Sequence, residues 1–394
     1  MSALCAEVTD VLIRAALEAV APTAAVRRCL VREGALLCVG DRRYALDSFD
    51  DLRLVAVGKA APSMAVGAAQ AVGQPFTRAV VVTQRGNLPC PLDLPAHAVA
   101  YIEAGHPVPD EDSLRAGEAI CTALEGSLPR TLIIACISGG ASALAVAPHA
   151  GISLRALRAV NTALLACGAD IREVNAVRAR LDRLKGGGFV ALAQPAQVVG
   201  LILSDVVGDP LDVIASGLTY HPAAHNVLIG SNAQACAAAA RAAQALGWSA
   251  RVVTTALQGE AREVGAAIAA ELLSTASGTC LIYGGETTVT VRGRGKGGRC
   301  QELALAAALA LDEAGAGEDL CLVALATDGA DGSTDVAGAR VDSMTIRRAA
   351  ELGLDARTCL ADNDSYTFFA RTGGHIRTGA TGTNVADLVL ALHF

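Results

Sequence analysis

The sequence predicts an α/β protein of two domains, the first built on a parallel sheet, and three observations carry that expectation. Residues 52–57, 79–83, Thr131–Ile137 and 198–203 are continuous apolar runs rather than alternating ones, the pattern of strands buried on both faces. Two of these runs pass through a glycine turn into a helix-forming stretch, Gly58-Lys59-Ala-Ala-Pro62 and Ser138-Gly-Gly-Ala-Ser142, as the opening of a βαβ unit does. The chain has 394 residues, of which 52% are apolar, enough length and apolar content for two cores.

Taken in order, residues 1–30 read as an amphipathic helix, with Val8, Val11, Leu12, Ala15, Ala16 and Val20 at helical spacing, and Pro22 opens a further helical turn. The run 52–57 delivers Lys59 to the carboxyl end of a strand, where ligands sit in such sheets. Glu103-Ala-Gly-His106-Pro-Val-Pro-Asp110 follows another strand, and its two prolines force a rigid loop in which His106 reads as a capped loop residue before a substrate contact. Residues 152–188 read as helical, with Asn175, Arg178 and Lys185-Gly186 just before a break. The strand 198–203 ends in Ser204-Asp205-Val-Val-Gly208-Asp209. A carboxylate there can hold Mg²⁺ or take a proton from an attacking hydroxyl, although Asp209 is equally well explained as a turn cap. An alanine-rich helix starts at Ala233, and 246–254 contains the next strand.

The most unusual stretch is 284–302, Gly-Gly-Glu286-Thr-Thr-Val-Thr-Val-Arg-Gly-Arg-Gly-Lys296-Gly297-Gly298-Arg299-Cys-Gln-Glu. Residues 280–283 and 287–291 read as two strands, and a helix follows Gln301. A cationic, glycine-rich loop opening a helix offers N–H groups and a positive dipole end to an anion such as phosphate. A hairpin turn with solvated basic residues would look similar. Lysine usage favours the first reading: of 32 Lys and Arg only Lys59, Lys185 and Lys296 are lysines, each beside a glycine, which points to a need for a compact point charge. Further on, Leu320–Ala326 reads as a buried strand ending in Thr327-Asp328, and Gly379 to Asn384 precedes what reads as a last helix.

A net charge of −7 and a pI near 5.5 argue against nucleic acid or an anionic membrane as partner. No signal-like or membrane-length apolar run is present, so a cytoplasmic protein is expected, and the 12 scattered cysteines read as small buried hydrophobes of a reducing compartment. The oligomeric state stays open, a homodimer being one option.

In order along the chain stand VGKAAPSMA, EAGHPVPDE, SGGASALA, NAVRARLDRLKGG, LSDVVGDPLDVIASG, GSNAQA, GGETTVTVRGRGKGGRCQE, ATDGADGSTDVAGA, DNDSYTFF and TGATGTN. This series resembles the glycerate 2-kinase family whose C-terminal part is the MOFRL domain, members of which are often labelled hydroxypyruvate reductase. The resemblance implies an N-terminal Rossmann-like parallel-sheet domain over 1–235 and a smaller α/β MOFRL domain over 236–394, with its core about 280–390 and the active site in a cleft between the two. It implies ATP, Mg²⁺ and D-glycerate as ligands and phosphorylation of the 2-hydroxyl. Lys59, Asp205 and Arg299 are the implied catalytic residues. Ser138, Gly139, Gly140, Ser142, Lys185, Gly186, Glu286, Lys296, Gly297, Gly298, Asp328 and Asn384 are the implied nucleotide contacts, and Asp205 and Asp209 the metal ligands. The chain departs from the family pattern at Cys300, Arg180, Leu218, Ala380 and near Gly374. The alternative, a nicotinamide-dependent reductase, calls for Gly-x-Gly-x-x-Gly after the first strand, and Gly58-Lys-Ala-Ala-Pro-Ser63 lacks it.

Overall fold

The computed structural model describes residues 3–87, 92–317 and 319–394, in two compact units. One comprises Ala21–Ser231, the other Asn232–Phe394 together with the N-terminal segment up to Val20.

The first unit opens with a helix, Pro22–Cys29, and a three-stranded antiparallel meander of β1 (Leu30–Glu33), β2 (Leu36–Val39) and β3 (Arg42–Ala45). Its main sheet comprises β4 (Asp51–Val57), β5 (Arg78–Gln84), β6 (Val99–Ala104), β7 (Thr131–Ile137), β8 (Gln197–Leu203) and β9 (Ala224–Gly230). The order is β6-β5-β4-β7-β8-β9, and every neighbouring pair is parallel. Parallel pairing requires crossovers, supplied here by helices such as Ala61–Val72 and Glu111–Leu124, the latter begun by a reciprocal cap between Asp110 and Ser113. Alternate residues of β4, β5, β7 and β8 are buried with helix Glu111–Leu124 in one core that includes Val55, Val82, Ile133, Ile120 and Phe189. Successive strands run outward from β4 on one side and from β7 on the other. The order therefore reverses between them, and a crevice forms at their carboxyl ends.

In the second unit the sheet order is β10-β11-β15-β12-β13-β14, with β10 (Ser249–Leu257), β11 (Thr279–Gly285), β12 (Leu320–Ala326), β13 (Gly338–Asp342), β14 (His375–Ile376) and β15 (Asp387–His393). Only β10 and β11 are parallel. Helices Ala261–Leu273 and Arg299–Glu313 share its core.

Several expectations are corrected. The last apolar run is not a helix but β15, paired on both sides by β11 and β12; a short apolar run has no period that separates a buried strand from a helix. Residues 287–291 form no strand, only an isolated bridge from Thr288 to Glu260, because Thr290 N–H donates to the Glu260 carboxylate and the N–H groups from Arg292 on donate to 362–364. The 152–188 region is two helices, Leu154–Ala166 and Ile171–Leu181, broken at Gly168. The first helix, Ala3–Ala19, belongs to the second unit rather than to a domain spanning 1–235. Cys5 and Cys321 are joined in a disulfide, so these two are not free thiols; Cys90 lies outside the described residues. No described helix is long and apolar enough to cross a membrane.

Candidate active site

At the switch point of the parallel sheet three strand ends converge in register, Val57 beside Ile137 and Ile137 beside Ile202. The first loop carries Lys59, whose N–H donates to Gly139 O at 2.9 Å, while Asn87 Nδ2 donates to Lys59 O at 2.6 Å. In the second loop Ser138 is buried, and its Oγ accepts from Ala60 N–H at 3.1 Å, tying the two loops together rather than facing solvent. Asp205 follows the third strand by two residues and is half-buried. Gly139 runs directly against it, since a Cβ there would collide with the Asp205 carboxylate. A Cβ on Gly140 would lie 3.2 Å from the His106 ring and 3.4 Å from Lys59 Cγ. Lys59, Gly139, Gly140, His106 and Asp205 are thus one cluster. Among the described residues, Lys59 forms no ion pair and the N–H groups of Gly139 and Gly140 have no partner. Burial and the neighbouring Lys59 hold the His106 imidazole below its usual range, so it is neutral at pH 7. Asp209 lies four residues further on in left-handed conformation (φ 54°), its N–H donating to Val206 O at 3.1 Å.

Behind Gly140 lies a cavity of about 260 Å³ bordered by His106, Ser142, Asn161, Arg178 and Lys185. Ser142 Oγ is 2.8 Å from Ser216 Oγ, and Ser216 Oγ donates to Asn175 Oδ1 at 2.9 Å. Lys185 is not the free phosphate-seeking cation expected. It is buried, and its Nζ lies 2.6 Å from Asp182 Oδ2, which also accepts from Ala147 N–H, so its charge is offset within the fold. Gly186 N–H is likewise spent on Ser216 O at 2.9 Å.

The glycine-rich stretch of the second unit is only partly what its sequence promised. Asn363 Oδ1 accepts from Arg292 and Gly293 N–H, Asp362 Oδ1 from Arg294 N–H, and Asp364 Oδ1 from Lys296 N–H. The start of helix Arg299–Glu313 already carries an anion: Asp331 accepts from Cys300 N–H at 3.0 Å and from Gln301 N–H at 2.9 Å, so close to Gly298 that no side chain fits there. From Arg292 to Gln301 the N–H groups of Gly297, Gly298 and Arg299 alone stay unspent among the described residues, so the anion-binding capacity of the loop is narrower than the glycine count implied. Arg299 is bidentate on Asp387, Nε to Oδ2 at 2.5 Å and Nη2 to Oδ1 at 2.8 Å, and its Nη1 lies 2.9 Å from Glu286 Oε1. Burial pushes the Asp387 carboxyl up to about 7 against the pull of Arg299. Lys296 Nζ sits 4.0 Å above the Tyr366 ring. Glu286, Lys296, Gly297, Gly298 and Arg299 border a depression of about 580 Å³ within this unit. Asp328 Oδ1 accepts from Ala330 N–H at 3.1 Å and Asn384 Oδ1 from Ala386 N–H at 3.2 Å, each stiffening its own turn.

Asp387 was missed because its run read as a helix, and Asp182 because nothing in sequence separates it from a surface acid. Among the described residues no three His, Cys, Asp or Glu side chains gather to hold a metal ion. Asp205 nevertheless fits Mg²⁺, which takes one or two protein carboxylates and fills its other positions with water and phosphate oxygens.

Residues 8–254 match a domain of unknown function, DUF4147, and residues 279–387 match the MOFRL family. A "D-glycerate 2-kinase" of Thermotoga maritima is 36% identical over 97% of this chain and 96% of its own length. A "putative hydroxypyruvate reductase" of Agrobacterium vitis is 37% identical over 85% of this chain and 97% of its own. The crystal structure of a glycerate kinase from Thermotoga maritima superposes with a TM-score of 0.88 at 35% identity, covering 98% of this chain and 99% of that one. With both domain models in order and glycerate kinase relatives matched end to end, the chain belongs to the DUF4147–MOFRL family of glycerate kinases.

Proposed function

We propose that this protein is a D-glycerate 2-kinase, moving the γ-phosphoryl group of ATP to the 2-hydroxyl of D-glycerate to give 2-phosphoglycerate and ADP. The observation that carries the reading is the strand-end cluster of Lys59, Gly139, Gly140 and Asp205 in a chain alike from end to end to a D-glycerate 2-kinase. Phosphoryl transfer asks a protein chiefly for positioning and charge neutralisation. Lys59, unpaired and half-buried, would stabilise charge on the transferring group, with the open N–H groups of Gly139 and Gly140 as further donors. Asp205 would orient the attacking hydroxyl or hold Mg²⁺, whose charge offsets that of the phosphate oxygens. The depression bordered by Glu286, Lys296, Gly297 and Gly298 would receive nucleotide. Arg299, already held by two carboxylates, contributes there as a member of a charge network rather than as a free cation.

The test is to incubate the protein with Mg²⁺, ATP and D-glycerate and identify the product by phosphorus NMR. The expected product is one that enolase alone converts onward. A product that needs a mutase first is 3-phosphoglycerate and overturns the 2-hydroxyl assignment. Protein-dependent oxidation of NADH or NADPH by hydroxypyruvate, without ADP formation, would overturn the kinase reading.

A further inference from the structure

We infer that the cavity behind Gly140 is the pocket for the carboxylate of the acid substrate, with Arg178 as its ligand; the identity of that acid rests on the kinase reading, but its charge does not. Arg178 lies on helix Ile171–Leu181, half-buried at the wall of the cavity. Its Nε donates to Asn161 Oδ1 at 3.0 Å and its Nη1 reaches Asn175 Oδ1 at 3.5 Å. Neither partner is charged, and among the described residues Arg178 forms no ion pair. A guanidinium cannot shed its proton, so partial burial without a counter-charge leaves a cation whose missing partner is an anion. The planar fork retains donors for a bidentate carboxylate.

The surrounding groups are organised around that position. Asn175 is fixed by donating from Nδ2 to Val213 O at 3.0 Å, while its Oδ1 also accepts from Ser216. Ala215 and Ser216 are both left-handed, at φ 52° and 56°, a strained turn that persists because it aims Ser216 at Asn175 and Ser142 together. The neighbouring cation Lys185 is already paired with Asp182, which leaves Arg178 and Arg158, the latter with its Nε donating to Pro109 O, as the uncompensated charges of the cavity. Apolar walls from Pro107, Pro109 and Leu157 suit the carbon skeleton of a short acid. A volume of about 260 Å³ lies below the range of about 300–1,000 Å³ typical of larger ligands and suits a short acid better than a nucleotide. Gly140 borders both this cavity and Lys59, so an acid anchored on Arg178 has its hydroxyl end toward the strand-end cluster. Arg299 is unsuited to the same task because its fork is filled by Asp387.

Calorimetric titration of the full chain, with and without ADP, tests the inference with D-glycerate, L-lactate and glycerol. The two acids should bind and glycerol should not. Arg178→Met should weaken D-glycerate by about 100-fold, as loss of a charge-assisted fork does, while ADP affinity changes by less than about 3-fold. Arg178→Lys should recover only part of the loss. Should Arg178→Met fail to fold by thermal melt, Thr162→Trp at the exposed rim is the second variant. It should block the cavity and weaken D-glycerate by at least about 10-fold. A folded Arg178→Met protein that binds D-glycerate within about 3-fold of the parent, an unchanged affinity in Thr162→Trp, or no binding of either acid overturns the inference. If the acids bind through Arg178 but none is phosphorylated, the pocket stands and the kinase reading falls. If D-glycerate is phosphorylated and Arg178→Met leaves its KM unchanged, the kinase reading stands and the pocket falls.

Discussion

Two glycine turns, one in each unit, look alike in sequence and differ in what they leave unspent. In the turn after β7, the N–H groups of Gly139 and Gly140 are open, and the neighbouring Lys59 carries no ion pair among the described residues. In the turn ahead of helix Arg299–Glu313, five consecutive N–H groups from Arg292 to Lys296 are taken by residues 362–364, the helix start is capped by Asp331, and Arg299 answers to Asp387 and Glu286. The same composition therefore yields a reactive-looking site in one place and a largely self-satisfied one in the other. What separates them is the partner segment, and the run Asp362-Asn-Asp364 supplies three side-chain acceptors to a loop that sequence alone presents as hungry for an anion.

The largest effect expected from this contrast is at Lys59. Lys59→Ala should lower kcat by about 10³-fold if its ammonium stabilises charge on the transferring group, yet leave the melting temperature unchanged, because no described ion pair is broken. Steady-state kinetics with both substrates varied, alongside a thermal melt, reads both. A kcat within about 10-fold of the parent would make the two turns functionally alike and remove the cluster from the mechanism.

At Arg299 the balance is reversed, and stability should respond most. Arg299→Met strands Asp387, which is almost wholly inaccessible, and should cost about 3 kcal/mol, as breaking a buried pair does. The pH dependence has a definite sign. An Asp that titrates near 4 when unfolded and at about 7 in the fold binds a proton on folding between those values. Its contribution is then fully present below pH 4 and lost as pH rises through 7. Removing Arg299 removes the group that pulls this carboxyl down, so the loss in the variant should extend above pH 7. Chemical denaturation of Arg299→Met from pH 5 to 9 checks this. A stability that rises over that range would mean Asp387 is ionised throughout.

The parallel sheet, its strand ends and the placement of Lys59 and Asp205 were legible because a strand buried on both faces writes a continuous apolar run, and a turn closing it must be short and glycine-rich. The second sheet was less so. β15 and β13 sit inside a mostly antiparallel sheet whose pairings join residues far apart in sequence, such as Asp387 with Gly285 and with Ala326. No local period announces such a strand. The pairing of Lys185 with Asp182 was hidden for a different reason: three residues apart, the two look like any i,i+3 surface pair, and only burial turns the lysine from a ligand-seeking cation into a core element. Arg178 was equally visible as a residue, but what marks it is the lack of a counter-charge, which only packing decides.

The smallest effect tests what remains of the anion-binding reading in the second unit. Lys296 is the one lysine on the glycine-rich loop, exposed, with Nζ over the Tyr366 ring at 4.0 Å and its own N–H and C=O tied to Asp364 and Tyr366. Its backbone is thus spent, so any hold on phosphate comes from the ammonium, competing with a ring contact of about 0.5–1 kcal/mol at such a site. Lys296→Gln removes the charge and keeps a polar side chain one atom shorter. If the ammonium reaches nucleotide phosphate through solvent, KM for ATP should rise by about 5-fold with kcat nearly unchanged, since a uniform binding contact affects ground and transition states alike. The melting temperature should move by no more than the ring contact is worth. A fall in kcat comparable to that of Lys59→Ala would instead place Lys296 at the transferring group, and the difference between the two turns would then lie in their backbones alone.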